Sequence, residues 1–265
     1  MNERTTSGLI PAATIILGRD RSDDLEIFMV QRNRQIDFAA GALVFPGGRV
    51  EADDASPGVC RRCAPIAQGR EPDIGFYVAA IREVYEECGI LLARDRDDAE
   101  IVSAARLAGL AAKRRALGDK TLTFSELLEA ENLYPACDCL TPFSHWVTPE
   151  FMPKRFDTWF FIAAAPEGHT GCHDGCESVD SLWLTPKDAL AGAGNGTFKV
   201  IFPTRMNIAK MGRFNNLEQA RAYCASTPVV RVLPRLAQGP DGPVLRIPAE
   251  ADYGLTEESI SKLSS

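Results

Sequence analysis

The sequence predicts an α/β sandwich, and three observations predict it. Short apolar runs of strand character lie on both sides of a central segment, 76–88. That segment carries Ile81, Val84, Tyr85 and Cys88 at helical spacing, and two Ala/Leu-rich stretches add further helices outside the strands.

The elements follow in order. "ATIILG" (13–18) and "LEIFMVQR" (25–32) read as strands joined by the polar turn "RDRSDD", a hairpin pattern in which turn residues separate two apolar runs. "GALVFPGGRVE" (41–51) is a strand running into a Pro-Gly-Gly turn. Residues 52–74 are rich in Pro, Gly, Asp and Cys without a sustained period, so they read as a loop. Residues 97–117 and 123–132 read as the two added helices. "RFDTWFFIAAA" (155–165) and "SLWL" (181–184) are strands, the second leading through Thr185-Pro186 into a helix that reaches Leu190, with Thr at the N-cap and Pro at the first helical position. "NLEQARAYCAS" (216–226) is a late helix, and "PVVRVLPRL" with "PVLRIP" forms a closing strand pair.

At 265 residues the chain can bury a sizeable core. A net charge of −7 argues against a nucleic-acid scaffold, whose mark is a basic stripe. No apolar run approaches the roughly twenty residues of a membrane span, so the expected setting is cytoplasmic, with no membrane partner. Ser261-Lys262-Leu263 looks like a peroxisomal address, but Ser264-Ser265 follow it and that signal is read at the terminus. Eight cysteines here suggest free thiols. Cys60-x-x-Cys63 and the group His169, Cys172, His173 and Cys176 have zinc-like spacing, and we read both as loop residues without metal, because they do not form the usual paired knuckle.

The stretch "AAIREVYEECGI" (79–90) puts Glu83, Glu86 and Glu87 on one side of the central helix. Like charges at that spacing cost a helix a few tenths of a kcal/mol each, and Arg82 relieves one through its i,i+4 relation to Glu86. The plain reading is a solvated acidic face. The chemical reading is a carboxylate cluster for a hard cation, which takes oxygen ligands and lets an acidic site accept a phosphorylated anion.

The neighbours favour chemistry. "REVYEECGI" (82–90), with "FPGGRVE" (45–51) upstream, resembles the Nudix box, GX5EX7REUXEEXGU. The second half matches throughout. In the first half Gly48 matches, and Asp54 stands where the family has Glu. Gly48 and Arg82 are 34 positions apart, against 14 in the ungapped motif, so the box contains an inserted segment and the role of Asp54 stays open. The resemblance implies a Nudix-type α/β/α sandwich with a mixed sheet and added helices. It implies a single domain over 1–265, with insertions at about 53–75 in the box and at about 95–135.

The resemblance also implies a divalent cation, Mg²⁺ or Mn²⁺, on Glu83, Glu86 and Glu87 with the Gly47 carbonyl. Arg82 would orient the acids, and Glu83 would share in the chemistry. Glu177, six residues before Trp183, is the candidate general base or extra ligand, against a reading as a loop glutamate facing water; Asp180 is a weaker alternate. "RNRQIDFAAGALVFPGG", "LTPFSHWVTPEFMPKRFDTWFF" and "VLRIPAEADYG" look like the acyl-CoA diphosphatase branch, which splits CoA or acyl-CoA into 3′,5′-ADP and (acyl-)4′-phosphopantetheine. Arg32, Arg34 and Arg49, with Gly48, are candidate contacts to such a substrate. His145 and Trp146 could line the pantetheine arm or serve as buried anchors. ADP-ribose, NADH or another nucleoside diphosphate derivative is the alternative substrate, and a non-catalytic sensor a third reading. The expected partner is a small-molecule diphosphate, and the chain could pair as a homodimer.

Overall fold

In the computed structural model, which describes residues 8–22, 24–35, 39–63, 72–96 and 98–260, the strands are β1 (Leu9–Arg21), β2 (Asp24–Arg32), β3 (Leu43–Val44), β4 (Gly47–Arg49), β5 (Ala93–Asp95), β6 (Leu133–Pro135), β7 (Thr141–Val147), β8 (Arg155–Ala164), β9 (Ser178–Leu184), β10 (Arg231–Val232), β11 (Arg235–Gly239), β12 (Gly242–Arg246) and β13 (Glu257–Ser259). The helices are α1 (Pro57–Cys60), α2 (Ile74–Cys88), α3 (Ala104–Ala108), α4 (Ala111–Gly118), α5 (Phe124–Ala130), α6 (Pro186–Gly194), α7 (Phe202–Met211) and α8 (Leu217–Ser226).

β1 organises a mixed sheet. One of its edges pairs in parallel with β8 from Leu9 to Gly18. The other edge is shared: β4 takes Ala12 to Thr14 and β2 takes Gly18 to Arg21, both antiparallel. Beyond β8 lie β7 and β10, and beyond β2 lie β3 and β9. β2 and β4 therefore diverge from a common edge, and the chain between them delivers Gly47 and Gly48 against the middle of β1.

The apolar run of β1 is buried on both faces, which is why it reads as continuous rather than alternating. Ile15 and Leu17 face one core with Phe28, Val30 and Phe161; Ile16 faces the other with Ile27, Met29 and Phe160. α2 closes the first face through Tyr77, Val78, Ile81, Val84 and Tyr85. α7 and α8 close the second through Phe202, Met206, Met211, Leu217 and Ala220. The result is the expected helix/sheet/helix layering.

Several expectations need correction. The segment 52–74 contains a 3₁₀ turn, Ala52–Ala55, and α1, while 64–71 fall outside the described residues. Gly47 and Gly48 belong to β4 rather than to a turn, with the bend at Pro46. The long helix expected at 97–117 is two short ones, α3 and α4, broken at Gly109-Leu110. β7 was not anticipated. Neither was α7, because its inward positions include polar residues that break the apolar period: Thr204, Asn207 and Lys210 are buried. Asn207 Oδ1 accepts from Ser144 Oγ (2.9 Å) and Tyr253 Oη (2.8 Å), and Lys210 Nζ donates to the Ala251 carbonyl (3.1 Å). In the closing pair only part survives: β11 pairs with β12, whereas β10 joins β7. Among the described residues no helix is long and apolar enough to cross a membrane. Ser261-Lys262-Leu263 lies outside them.

Candidate active site

Arg82 sits at the centre of the site on α2, with 2% of its side chain exposed. Nε donates to Asp54 Oδ1 (2.8 Å), and Nη2 to Asp54 Oδ2 (2.9 Å) and to the Arg49 carbonyl (2.8 Å). Nη1 donates to Glu83 Oε1 (2.8 Å) and Glu86 Oε1 (3.2 Å). All five N–H bonds of the guanidinium are thus in use, the condition under which an arginine tolerates burial. Asp54 is fully buried and also accepts the Glu51 N–H (2.8 Å), fixing the turn that follows β4. The fold thus brings Asp54 onto Arg82 across the 28 positions that separate them.

The two glycines make room for acids. A Cβ on Gly47 would lie 2.4 Å from the Ala13 carbonyl, and a Cβ on Gly48 would lie 2.5 Å from the Glu83 carboxylate. Gly47 N–H donates to Glu87 Oε2 (3.1 Å). Burial, with repulsion from Glu86, pushes the Glu83 carboxyl up to about 7 even though Arg82 opposes the shift. Burial pushes Glu87 well above the usual carboxylate range, and Glu83 adds to it. Such a cluster is costly on its own and is relieved by a cation.

The family resemblance implies a divalent cation, and the residues present fit one. Their donor atoms are carboxylate oxygens, suited to a hard cation. Gly48 leaves free the space a Cβ would fill beside Glu83. Among the described residues no three His, Cys, Asp or Glu side chains are drawn together at ligating distance. The glutamate oxygens rest instead on protein cations and amides: Glu83 on Arg82, Glu86 on Arg82 and on Lys120 Nζ (3.1 Å), and Glu87 on Gly47.

Glu177 lies just before β9, with 63% of its side chain exposed and Oε2 4.0 Å from Arg32 Nη2. Both groups act on Glu87, where Arg32 favours the carboxylate and Glu177 opposes it. Arg32 is mostly buried, and its Nε has no hydrogen-bond partner. Asp174 holds the Glu177 loop by accepting the N–H groups of Cys176 (3.1 Å), Glu177 (3.1 Å) and Ser178 (2.9 Å). The Glu177 carbonyl accepts the Asn33 N–H (2.8 Å). Asp180 faces outward on β9. The Arg34 and Arg49 side chains are exposed; Arg34 packs its stem over Gly41, and Arg49 serves the site through its carbonyl.

Sequence reasoning missed three contributors. Lys120 bridges Glu86 and Glu51 (3.2 Å) from the end of α4. Arg114 donates to the carbonyls of Glu86 (3.1 Å), Glu87 (2.9 Å) and Cys172 (2.9 Å), capping α2 from outside the box. Asp174 is the third, and the Asp-Gly pair in "CHDGC" was its available signal. The zinc-like group has separate partners: His169 Nε2 meets the Val102 carbonyl (2.8 Å), His173 Nδ1 meets Ser181 Oγ (3.3 Å), and Cys172 and Cys176 are exposed. Cys63 hydrogen-bonds the Val59 carbonyl (3.3 Å) and Cys137. His145 pairs with Asp157 and stacks on Trp159 (4.3 Å between centroids), while Trp146 is buried and donates to Tyr253 Oη (2.8 Å), so Trp146 is a core anchor.

Comparison with known proteins gives three kinds of match. Residues 64–211 match a family model described as the NUDT19 Nudix domain. Proteins named acyl-coenzyme A diphosphatase NUDT19 are similar: that of Gallus gallus is 27% identical over 87% of this chain and 73% of its own length, and that of Homo sapiens 24% identical over 92% and 76%. The crystal structure of a NUDIX hydrolase from Alicyclobacillus acidocaldarius superposes with a TM-score of 0.67 at 27% identity, covering 82% of this chain and 97% of that one.

Proposed function

We infer the activity from one premise: the chain belongs to the Nudix hydrolases, in the family of the NUDT19 Nudix domain, and is an enzyme of that class. We propose that it hydrolyses the diphosphate linkage of CoA or acyl-CoA, releasing 3′,5′-ADP and 4′-phosphopantetheine or its acyl form. Support comes from the name and activity of the relatives, which span most of the chain, and from the acids of α2 held around Arg82.

In this reading Glu83, Glu86, Glu87 and the Gly47 carbonyl hold Mg²⁺ or Mn²⁺. When bound, that cation neutralises diphosphate charge and lowers the pKa of water. The chain's own residues do the rest. Asp54 fixes Arg82, and Arg82 fixes the carboxylates of Glu83 and Glu86. Arg32, whose guanidinium lies beside Glu177 and near Glu87, offers its charge to a phosphate oxygen. Glu177 takes a proton from the attacking water at its carboxylate, as the oxygen adds to one phosphorus and the anhydride P–O bond breaks, leaving two monophosphates. The domain is read as one unit over 1–265 acting on a small-molecule diphosphate.

Incubation of the protein with CoA and Mg²⁺ or Mn²⁺, with products resolved by chromatography, tests the proposal. Equal amounts of 3′,5′-ADP and 4′-phosphopantetheine are expected. Intact CoA beside cleaved ADP-ribose or NADH would overturn the CoA assignment.

A further inference from the structure

Glu86 shares its two carboxylate oxygens between two protein cations of very different mobility. Oε1 accepts from Arg82 Nη1 (3.2 Å), and Oε2 accepts from Lys120 Nζ (3.1 Å). Arg82 cannot leave, because it is 2% exposed and anchored by Asp54, Glu83 and the Arg49 carbonyl. Lys120 can: its side chain is 57% exposed, and its other partner, Glu51, is 46% exposed. The Glu86 side chain is only 11% exposed, and Oε2 is the oxygen that Lys120 contacts.

The backbone aims this lysine. Lys120 has φ +56°, a left-handed conformation unfavourable for a residue with a Cβ, and its N–H is tied to the Leu117 carbonyl (2.9 Å) at the end of α4.

We propose that Lys120 is a positioning residue for the reaction, the exchangeable counter-ion of Glu86: its ammonium holds the carboxylate in place in the cation-free protein and yields Oε2 to the divalent cation. The helical insertion thereby sets the affinity of the box for its cation. The inference rests on the reading of Glu86 as a ligand.

Binding of Mn²⁺ to the substrate-free protein, followed by electron paramagnetic resonance of the free ion, tests it. Lys120→Met removes the competing charge and is expected to tighten Mn²⁺ binding about 3- to 30-fold, while Lys120→Arg binds as the wild type does. Tightening is not an effect that loss of structure produces. Glu86→Gln is the control for the underlying reading and should weaken binding at least about tenfold. Weakened Glu86→Gln beside an unchanged or weaker Lys120→Met overturns the counter-ion role alone. Wild-type binding by Glu86→Gln overturns the ligand reading itself.

Discussion

Arg82 and Asp54, 28 positions apart in sequence, form a doubly hydrogen-bonded ion pair in which neither side chain is more than 2% exposed. The pair joins α2 to the turn after β4 across the segment that interrupts the box. Removing Asp54 leaves two buried guanidinium N–H groups without acceptors, although Glu83 and Glu86 still offset the charge, at a cost of about 2–5 kcal/mol. Asp54→Ala should lose that much stability in chemical denaturation. A loss under about 1 kcal/mol would show that the pair does not hold the site together.

The acids of α2 should be needed for catalysis and not for folding. Glu86→Gln and Glu87→Gln each keep the shape of the side chain and remove a like charge from beside Glu83, and burial has already pushed up the Glu83 and Glu87 carboxyls. Each variant should fold with unchanged or higher thermal stability and lose at least about 10²-fold in kcat. Excess chelator should abolish turnover of the wild type. Full activity in chelator would sink the metal reading.

Glu177 is the proposed base, and Asp174 is what positions it. Glu177→Gln should depress kcat with KM nearly unchanged, and the deficit should shrink as pH rises and hydroxide replaces the base. Asp174→Ala frees three backbone N–H groups that its carboxylate accepts. It should reproduce part of the same kcat loss with the same pH trend. A wild-type rate for Glu177→Gln would move the base role elsewhere.

His169 gives the fold an acid-sensitive point. Burial holds its imidazole below its usual 6.5, Nε2 meets the Val102 carbonyl and Nδ1 is buried without a partner. The unfolded chain therefore binds a proton more readily than the folded one. Stability from this group is complete above the unfolded value and is lost as pH falls below it. His169→Gln, which does not titrate, should flatten the decline in melting temperature between about pH 6.5 and 5. An identical decline in the variant would assign the acid sensitivity to other groups.

What the sequence made legible was what depends on local period and local chemistry. The central helix, β1, β2 and β8 were visible because their apolar patterns are set by the faces they bury. Gly48, Arg82 and the three glutamates were visible because they match the box position by position. The misses have physical causes. α7 hides because Asn207 and Lys210 turn polar groups inward, towards partners on distant elements. Asp54 was ambiguous because an inserted segment obscured a distance that the fold restores. Lys120 and Arg114 reach the site from a helix outside the box, and Arg32 is singled out from Arg34 only by burial and an unpartnered Nε. None of these leaves a local signature.

That difference between Arg32 and Arg34 makes the substrate question testable. Arg32 lies where its charge is felt at Glu87, beside the acids that would meet the diphosphate, so in the proposed reading it would serve any diphosphate. Arg34 is exposed beyond the end of β2, over Gly41, where it could meet a more distant group. CoA differs from 3′-dephospho-CoA by such a group, a phosphate on the ribose. A charge-assisted pair contributes about 1.5–3 kcal/mol, or roughly 10- to 150-fold in kcat/KM. Arg32→Ala should therefore lower kcat/KM by that order for CoA and dephospho-CoA alike. Arg34→Ala should erase a preference for CoA of that size while leaving dephospho-CoA hydrolysis intact. Measuring kcat/KM for CoA, dephospho-CoA, ADP-ribose and NADH with the wild type and both variants decides the matter. A wild type without preference for CoA, or an Arg34→Ala variant that keeps it, removes Arg34 from substrate recognition. Far faster cleavage of ADP-ribose or NADH leaves the hydrolase chemistry standing and discards CoA as its object.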